Sequence, residues 1–221
     1  MQTAKYRIIS KAEPAEVEVK KSRFICALKN VRTEAEAAAF LEEIRKSNRD
    51  ARHNCFAFRL GTPENVLERF SDDGEPQGTA GKPMLAILQG AGLYDVCAVV
   101  TRYFGGTLLG TGGLLRAYSD SLKAGLEASE EADVLSGYRA ELSVDYTFAG
   151  KIKYAVEQCG VFTENEEYTD KIRFTWLIPE DNAESFKARI TEICMGKAVF
   201  ENEMKAVYYG GSRPQIYAVS G

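Results

Sequence analysis

Residues 95–101, DVCAVVT, run apolar with no polar face. Successive side chains of a strand point to opposite sides, so a strand of this kind calls for cover on both faces of its sheet. Directly beyond it lies the loop FGGTLLGTGG (104–113), and then Leu114, Tyr118, Leu122 and Leu126 form one helical stripe. Upstream, 54–60 alternates as a strand. Shorter strand candidates fall at 4–10, 15–20 and 23–28, and Thr33 with Glu36 forms a capping box for a helix burying Ala37, Phe40, Leu41 and Ile44. Residues 71–83, SDDGEPQGTAGKP, read as the loop between the two longer strands.

The second half has a plainer period. Ala140, Leu142, Val144 and Tyr146 alternate as a strand, and Ile152, Ala155, Val156 and Cys159 keep helical spacing up to Gly160. A hairpin is expected over 161–168 and 171–178. Asp181 with Glu184 predicts the cap of a helix burying Phe186, Ile190 and Ile193, and Met204, Ala206 and Tyr208 predict a last strand. This βαββαβ order fits a ferredoxin-like sandwich. The fold class is α+β, and 221 residues suit two domains, with the junction expected where EADVLSG breaks the helical pattern near 131–138. The expected domains are 1–134 and 138–212.

With 45% apolar and 27% charged residues the chain has the balance of a globular protein. The opening MQTAKYRIISKAEP lacks the features of a signal peptide and no run of eighteen apolar residues occurs, so a cytoplasmic protein without a membrane partner is expected. Five cysteines without a CxxC pair indicate neither a disulfide framework nor a zinc site. The net charge of −4 is spread over both halves, which lowers the expectation of nucleic-acid binding through overall charge and leaves local patches open.

Four segments offer chemistry. In the glycine loop, Gly105, Gly106, Gly110, Gly112 and Gly113 let backbone approach a ligand ahead of a helix with unpaired amides. It matches neither GxxxxGK[ST] nor GxGxxG, and a tight strand-to-helix connection explains it equally well. Arg102 and Tyr103 end the apolar strand, and Arg116, expected in the first helical turn, would converge with Arg102 on an anion; its alternative is an Asp120 pair on the helix surface. Asp72, Asp73 and Glu75 could serve as acid and base or hold a magnesium ion, or merely solvate a turn. His53, the only histidine, precedes Asn54 and Cys55. Residues two apart on a strand sit roughly 6.5–7 Å apart, too far for a Cys–His nucleophile. Lys20, Lys21 and Arg23, in KKSRF, make the densest basic cluster, suited to RNA or simply to a solvated strand edge.

KKSRF (20–24), RHNCFAFRLG (52–61), FSDDGEPQGTAGKPML (70–85) and VVTRYFGGTLLGTGGLLRAYSD (99–120) together resemble the YigZ/IMPACT family, and the second half resembles the additional module of its bacterial two-domain members. The resemblance implies an N-terminal domain like domain 2 of ribosomal small-subunit protein five and a C-terminal domain like domain V of elongation factor G. It implies a translation-associated, non-catalytic regulator. The family motifs fall on Lys20, Arg23, His53, Asn54, Asp72, Asp73, Glu75, Lys82, Arg102, Tyr103, Arg116 and the loop glycines.

Three functions are open at this point. The first is binding of RNA, the ribosome or a translation factor through Lys20, Lys21, Arg23, Lys82, Arg102 and Arg116. The second is an enzyme acting on a phosphorylated or carboxylated small molecule through Asp72, Asp73 and Glu75. The third is a regulator that binds another protein through the sheet face of the second domain.

Overall fold

The computed structural model describes residues 5–210 and 214–220. Residue 4 of the first expected strand and the last two residues of the second expected domain lie outside them. The chain forms two compact units, Tyr6–Ala132 and Asp133–Gly221 with Met1–Lys5.

In the first unit, β1 (Tyr6–Lys11) precedes a five-stranded antiparallel sheet. Its spatial order is β2 (Ala15–Val19), β3 (Ser22–Asn30), β6 (Val96–Tyr103), β4 (His53–Thr62) and β5 (Asn65–Ser71). The apolar run is therefore the central strand. Val96, Ala98 and Val100 enter a core with Met84, Leu88, Leu114, Tyr118 and Leu122, from α2 (Gly81–Gly90) and α3 (Gly110–Glu127). Cys97 and Val99 face the other way, onto Ala37 and Phe40 of α1 (Glu34–Ser47). The two-sided burial explains why no polar residue interrupts 96–100.

Thr33 caps α1 as expected, its Oγ1 accepting from the Glu36 amide at 3.1 Å, while the Glu36 carboxylate returns to the Arg32 amide at 2.7 Å. Two elements depart from the expectation. Residues 65–71 form β5, and the loop read over 71–83 ends at Ala80, immediately before α2 begins at Gly81. Between β2 and β3, Val19 pairs with Ser22, so Lys20 and Lys21 make the whole turn. Their φ values of 48° and 67° are left-handed, the geometry of a type I′ hairpin.

In the second unit, β7 (Glu130–Val144), α4 (Tyr146–Gln158), β8 (Phe162–Tyr168), β9 (Ile172–Pro179), α5 (Ala183–Ile193) and β10 (Phe200–Tyr209) follow the expected βαββαβ order. Their sheet order is β10–β7–β9–β8, all antiparallel, extended by β11 (Gln215–Ser220) beside β10. Trp176 centres the core between Phe174 and Phe186. The helical pattern does end before residues 131–138, and the division between the units falls inside that segment, between Ala132 and Asp133; the segment is no linker, since β7 runs through it as one strand. The cap expected at Asp181 is also replaced. Glu180–Asn182 form a 3₁₀ turn, and α5 starts behind Asn182 with no side-chain cap.

Candidate functional site

The acidic segment is structural before it is anything else. Asp72 accepts the amides of Gly78 at 2.7 Å, Ala80 at 3.0 Å and Gly81 at 2.9 Å. It thus caps α2 from eight residues upstream, where an anion is favoured by the helix dipole. Asp73, with φ of 43°, takes the Asn54 amide at 2.7 Å and the Arg45 guanidinium at 3.0 Å. Its carbonyl meets Nδ1 of His53 at 2.9 Å. Glu75 is buried, and one oxygen accepts from Arg102 Nη1 at 2.7 Å and from the Tyr118 hydroxyl at 2.8 Å. Burial and the neighbouring Glu75 push the Tyr118 hydroxyl far above its ordinary pKa, so it stays a donor. Among the described residues no three His, Cys, Asp or Glu side chains are grouped to hold a metal ion. A magnesium ion would have to displace these protein donors.

Arg102 is turned inward. Its side chain is 7% exposed and that of Glu75 3%, and its guanidinium carbon lies 5.6 Å from the Phe24 ring centre and 5.5 Å from that of Phe104. Arg116 does not converge with it. Because α3 begins at Gly110, Arg116 sits in the second turn and lines a separate hollow of 410 Å³ with Lys20, Leu109, Gly113 and Asp120. Asp120 approaches Lys123, at 4.0 Å, rather than Arg116. A second hollow of 630 Å³ is lined by Asp50, Arg52, His53, Arg102, Tyr103, Phe104 and Leu108.

The glycine loop joins these hollows and docks on the basic turn. Gly105 accepts no larger residue: a Cβ there would lie 2.0 Å from the Lys21 carbonyl carbon, and its amide donates to Ser22 Oγ at 3.1 Å. Gly106 and Gly110 have φ of 86° and 72°, and α3 starts without a side-chain cap. The KKSRF cluster is therefore adjacent to the loop. Within it, Arg23 is committed to Glu16 through two bonds of 2.7 and 2.9 Å, whereas Lys20 and Lys21 are exposed. Lys20, Lys21, Arg52, Lys82 and Arg116 form no ion pair among the described residues. Asn54 is internal, its side-chain oxygen accepting from Thr101 at 2.8 Å. Asp50, Arg52, Phe104 and Leu108 are the site residues that sequence reasoning missed. The apolar pair was detectable, since Phe104 and Leu108 interrupt a glycine loop with bulk that a mere connection does not need.

Cys55 is no nucleophile. It is buried, its thiol meets the Asp72 carbonyl at 2.9 Å, and burial pushes its pKa, like those of Cys26 and Cys97, up to about 12. At pH 8, iodoacetamide is expected to label Cys159 in the native protein and to leave these three for the unfolded chain; rapid native labelling of Cys55 would contradict the burial. A thiol whose folded pKa is raised contributes stability below the ordinary value of 9.0, and that contribution is lost as pH climbs toward about 12.

In the second unit Leu177, Ala206 and Tyr208 form a buried cluster of their own, with Leu135 and Phe162 packed against it. On the helical side, the exposed Tyr154 and Met195 and the partly buried Phe148 and Ile193 line a groove of 1040 Å³ with Lys151 and Arg189.

The Impact N-terminal domain model matches residues 20–126, and a domain of unknown function (DUF1949) matches 142–197. The chain is 39% identical to the IMPACT family member YvyE of Bacillus subtilis (strain 168) over 193 residues, covering 87% of this chain and 88% of that one. It is 38% identical to the IMPACT family member YigZ of Escherichia coli (strain K12) over 182 residues, covering 81% and 88%. A crystal structure described as that of a hypothetical protein matches with a TM-score of 0.58 and 34% identity, over 90% of this chain and 97% of that one. No helix among the described residues is long and apolar enough to cross a membrane.

Proposed function

This chain belongs to the IMPACT family, and from that premise we propose that it is a translation-associated regulator whose N-terminal unit binds RNA or a ribonucleoprotein in the cytoplasm. The observation that supports the reading most is the grouping of Lys20, Lys21 and Arg116, all exposed and none ion-paired among the described residues, around a loop that also exposes Phe104 and Leu108. Unpaired cations beside an exposed aromatic ring suit a phosphate backbone with accessible bases. The resemblance of the two halves to domain 2 of ribosomal small-subunit protein five and domain V of elongation factor G adds a fold-level argument only.

Replacing Lys20, Lys21 and Arg116 together with alanine is expected to weaken binding to transfer RNA and ribosomes. If all three meet phosphates, the slope of log affinity against log salt becomes shallower by about 2 to 3. As exposed substitutions each should alter stability by no more than about 0.5 kcal/mol. Unchanged affinity and slope in a folded variant would remove these residues from the interface. Arg102 is unsuited to this test, because its deletion strands Glu75 inside the fold.

The enzyme reading stands lower, since Asp72, Asp73 and Glu75 are all engaged by protein donors. A protein-binding regulator draws support from the groove beside Tyr154 and Met195. Loss of a partner on Tyr154→Ser with Met195→Ser in the full chain, RNA binding being intact, would favour it.

A further inference from the structure

The 630 Å³ hollow beside Phe104 has a directional chemistry that phosphate binding alone does not require. A carbonyl can only accept, so the contact between His53 Nδ1 and the Asp73 carbonyl fixes the proton on Nδ1. In the neutral tautomer with that proton the lone pair lies on Nε2, which can then accept a hydrogen bond. Asp50, an exposed carboxylate, is a second acceptor on the same lining. Phe104 is 54% exposed and offers a ring face, steadied by the Arg102 guanidinium, whose buried Nε has no hydrogen-bond partner among the described residues. Arg52 adds an exposed cation without an ion pair among the described residues.

A flat π-system, N–H donors along its edge and an attached anion are together the features of a nucleotide, and the volume is that of a site for one small ligand. We infer that the hollow receives a single unstacked nucleotide, its base on Phe104, its N–H edge toward His53 and Asp50, and its phosphate at Arg52. The inference rests on the RNA reading above and narrows it from a charged surface to a base-sized pocket. A free mononucleotide presents the same chemistry as a nucleotide within a strand, so the test must separate the two.

The test compares a ten-nucleotide single-stranded RNA with a fully abasic strand of equal length and charge, on the full chain. Base–aromatic stacking predicts that the intact strand binds at least about fivefold tighter. Phe104→Ala should abolish that advantage and Phe104→Tyr should keep it, with melting curves establishing that each variant is folded. If Phe104→Ala does not fold, Asp50→Ala replaces it, with a reduced advantage expected. Equal binding of both strands overturns the nucleotide pocket and leaves the RNA reading standing on phosphate contacts. If neither strand binds while AMP, GMP, CMP or UMP raises the melting temperature in a Phe104-dependent way, the pocket stands and the RNA reading falls. No response to strands or mononucleotides overturns both.

Discussion

Replacing Glu75 with alanine is expected to destabilise the Tyr6–Ala132 unit by about 3–5 kcal/mol, because it leaves the Arg102 guanidinium buried without its counter-charge. The Tyr118 hydroxyl loses its acceptor in the same step. For a unit of this size the melting temperature should fall by roughly 10–15 °C. Far-UV circular dichroism should register the change, whereas the single tryptophan, Trp176, lies in the other unit and reports on that one. Removing both charges distinguishes a buried pair from mere packing. Glu75→Leu combined with Arg102→Met should be more stable than either single change. A melting point for Glu75→Ala within a few degrees of the parent's would show that water reaches Arg102 and that the pair is not buried as described.

Gly105→Ala is the second large effect, expected to cost about 2–4 kcal/mol and, if the proposed RNA interface is right, to weaken binding without altering any charge. The added methyl would lie 2.0 Å from the Lys21 carbonyl carbon, 2.1 Å from its oxygen and 2.3 Å from the Ser22 nitrogen. These are backbone atoms of a two-residue turn and cannot swing aside as a side-chain tip can. Either the loop lifts from the turn or the turn deforms, and in both cases Lys20 and Lys21 part from Phe104 and Leu108. Gly106→Ala is the control: its φ of 86° strains any side chain, but nothing lies within 4 Å of the new methyl. If Gly105→Ala behaved no worse than Gly106→Ala in both melting and binding, the loop would not be docked on the turn.

Much of this arrangement was legible in the sequence where a local rule acted alone. The unbroken apolar run became the central strand β6, Thr33 became a helix cap, and regular spacing gave the βαββαβ order of the second unit. What escaped depended on partners far along the chain. Helix α2 has no local start signal because its cap is supplied by Asp72, and the preceding segment looks like a loop for the same reason. β5, NVLERFS, is an exposed edge strand, so no apolar alternation marks it. Arg102 read as a free cation at a strand end. Its true partner, Glu75, stands twenty-seven residues away in a segment that looked solvated. The first turn of α3 is glycine-rich, which concealed it as loop and displaced Arg116 by a turn.

The hairpin at Lys20 and Lys21 records a choice between two uses of the same positions. A type I′ turn is most at ease with Asn-Gly, and left-handed backbone at a lysine costs roughly 1–2 kcal/mol. Two such residues side by side place paired ammonium groups at the tip of a two-residue turn, where a sequence chosen for stability alone would have put neither. The turn is a point at which the fold is less stable than Asn-Gly would make it, and replacing Lys20-Lys21 by Asn-Gly should raise the melting temperature while removing both charges.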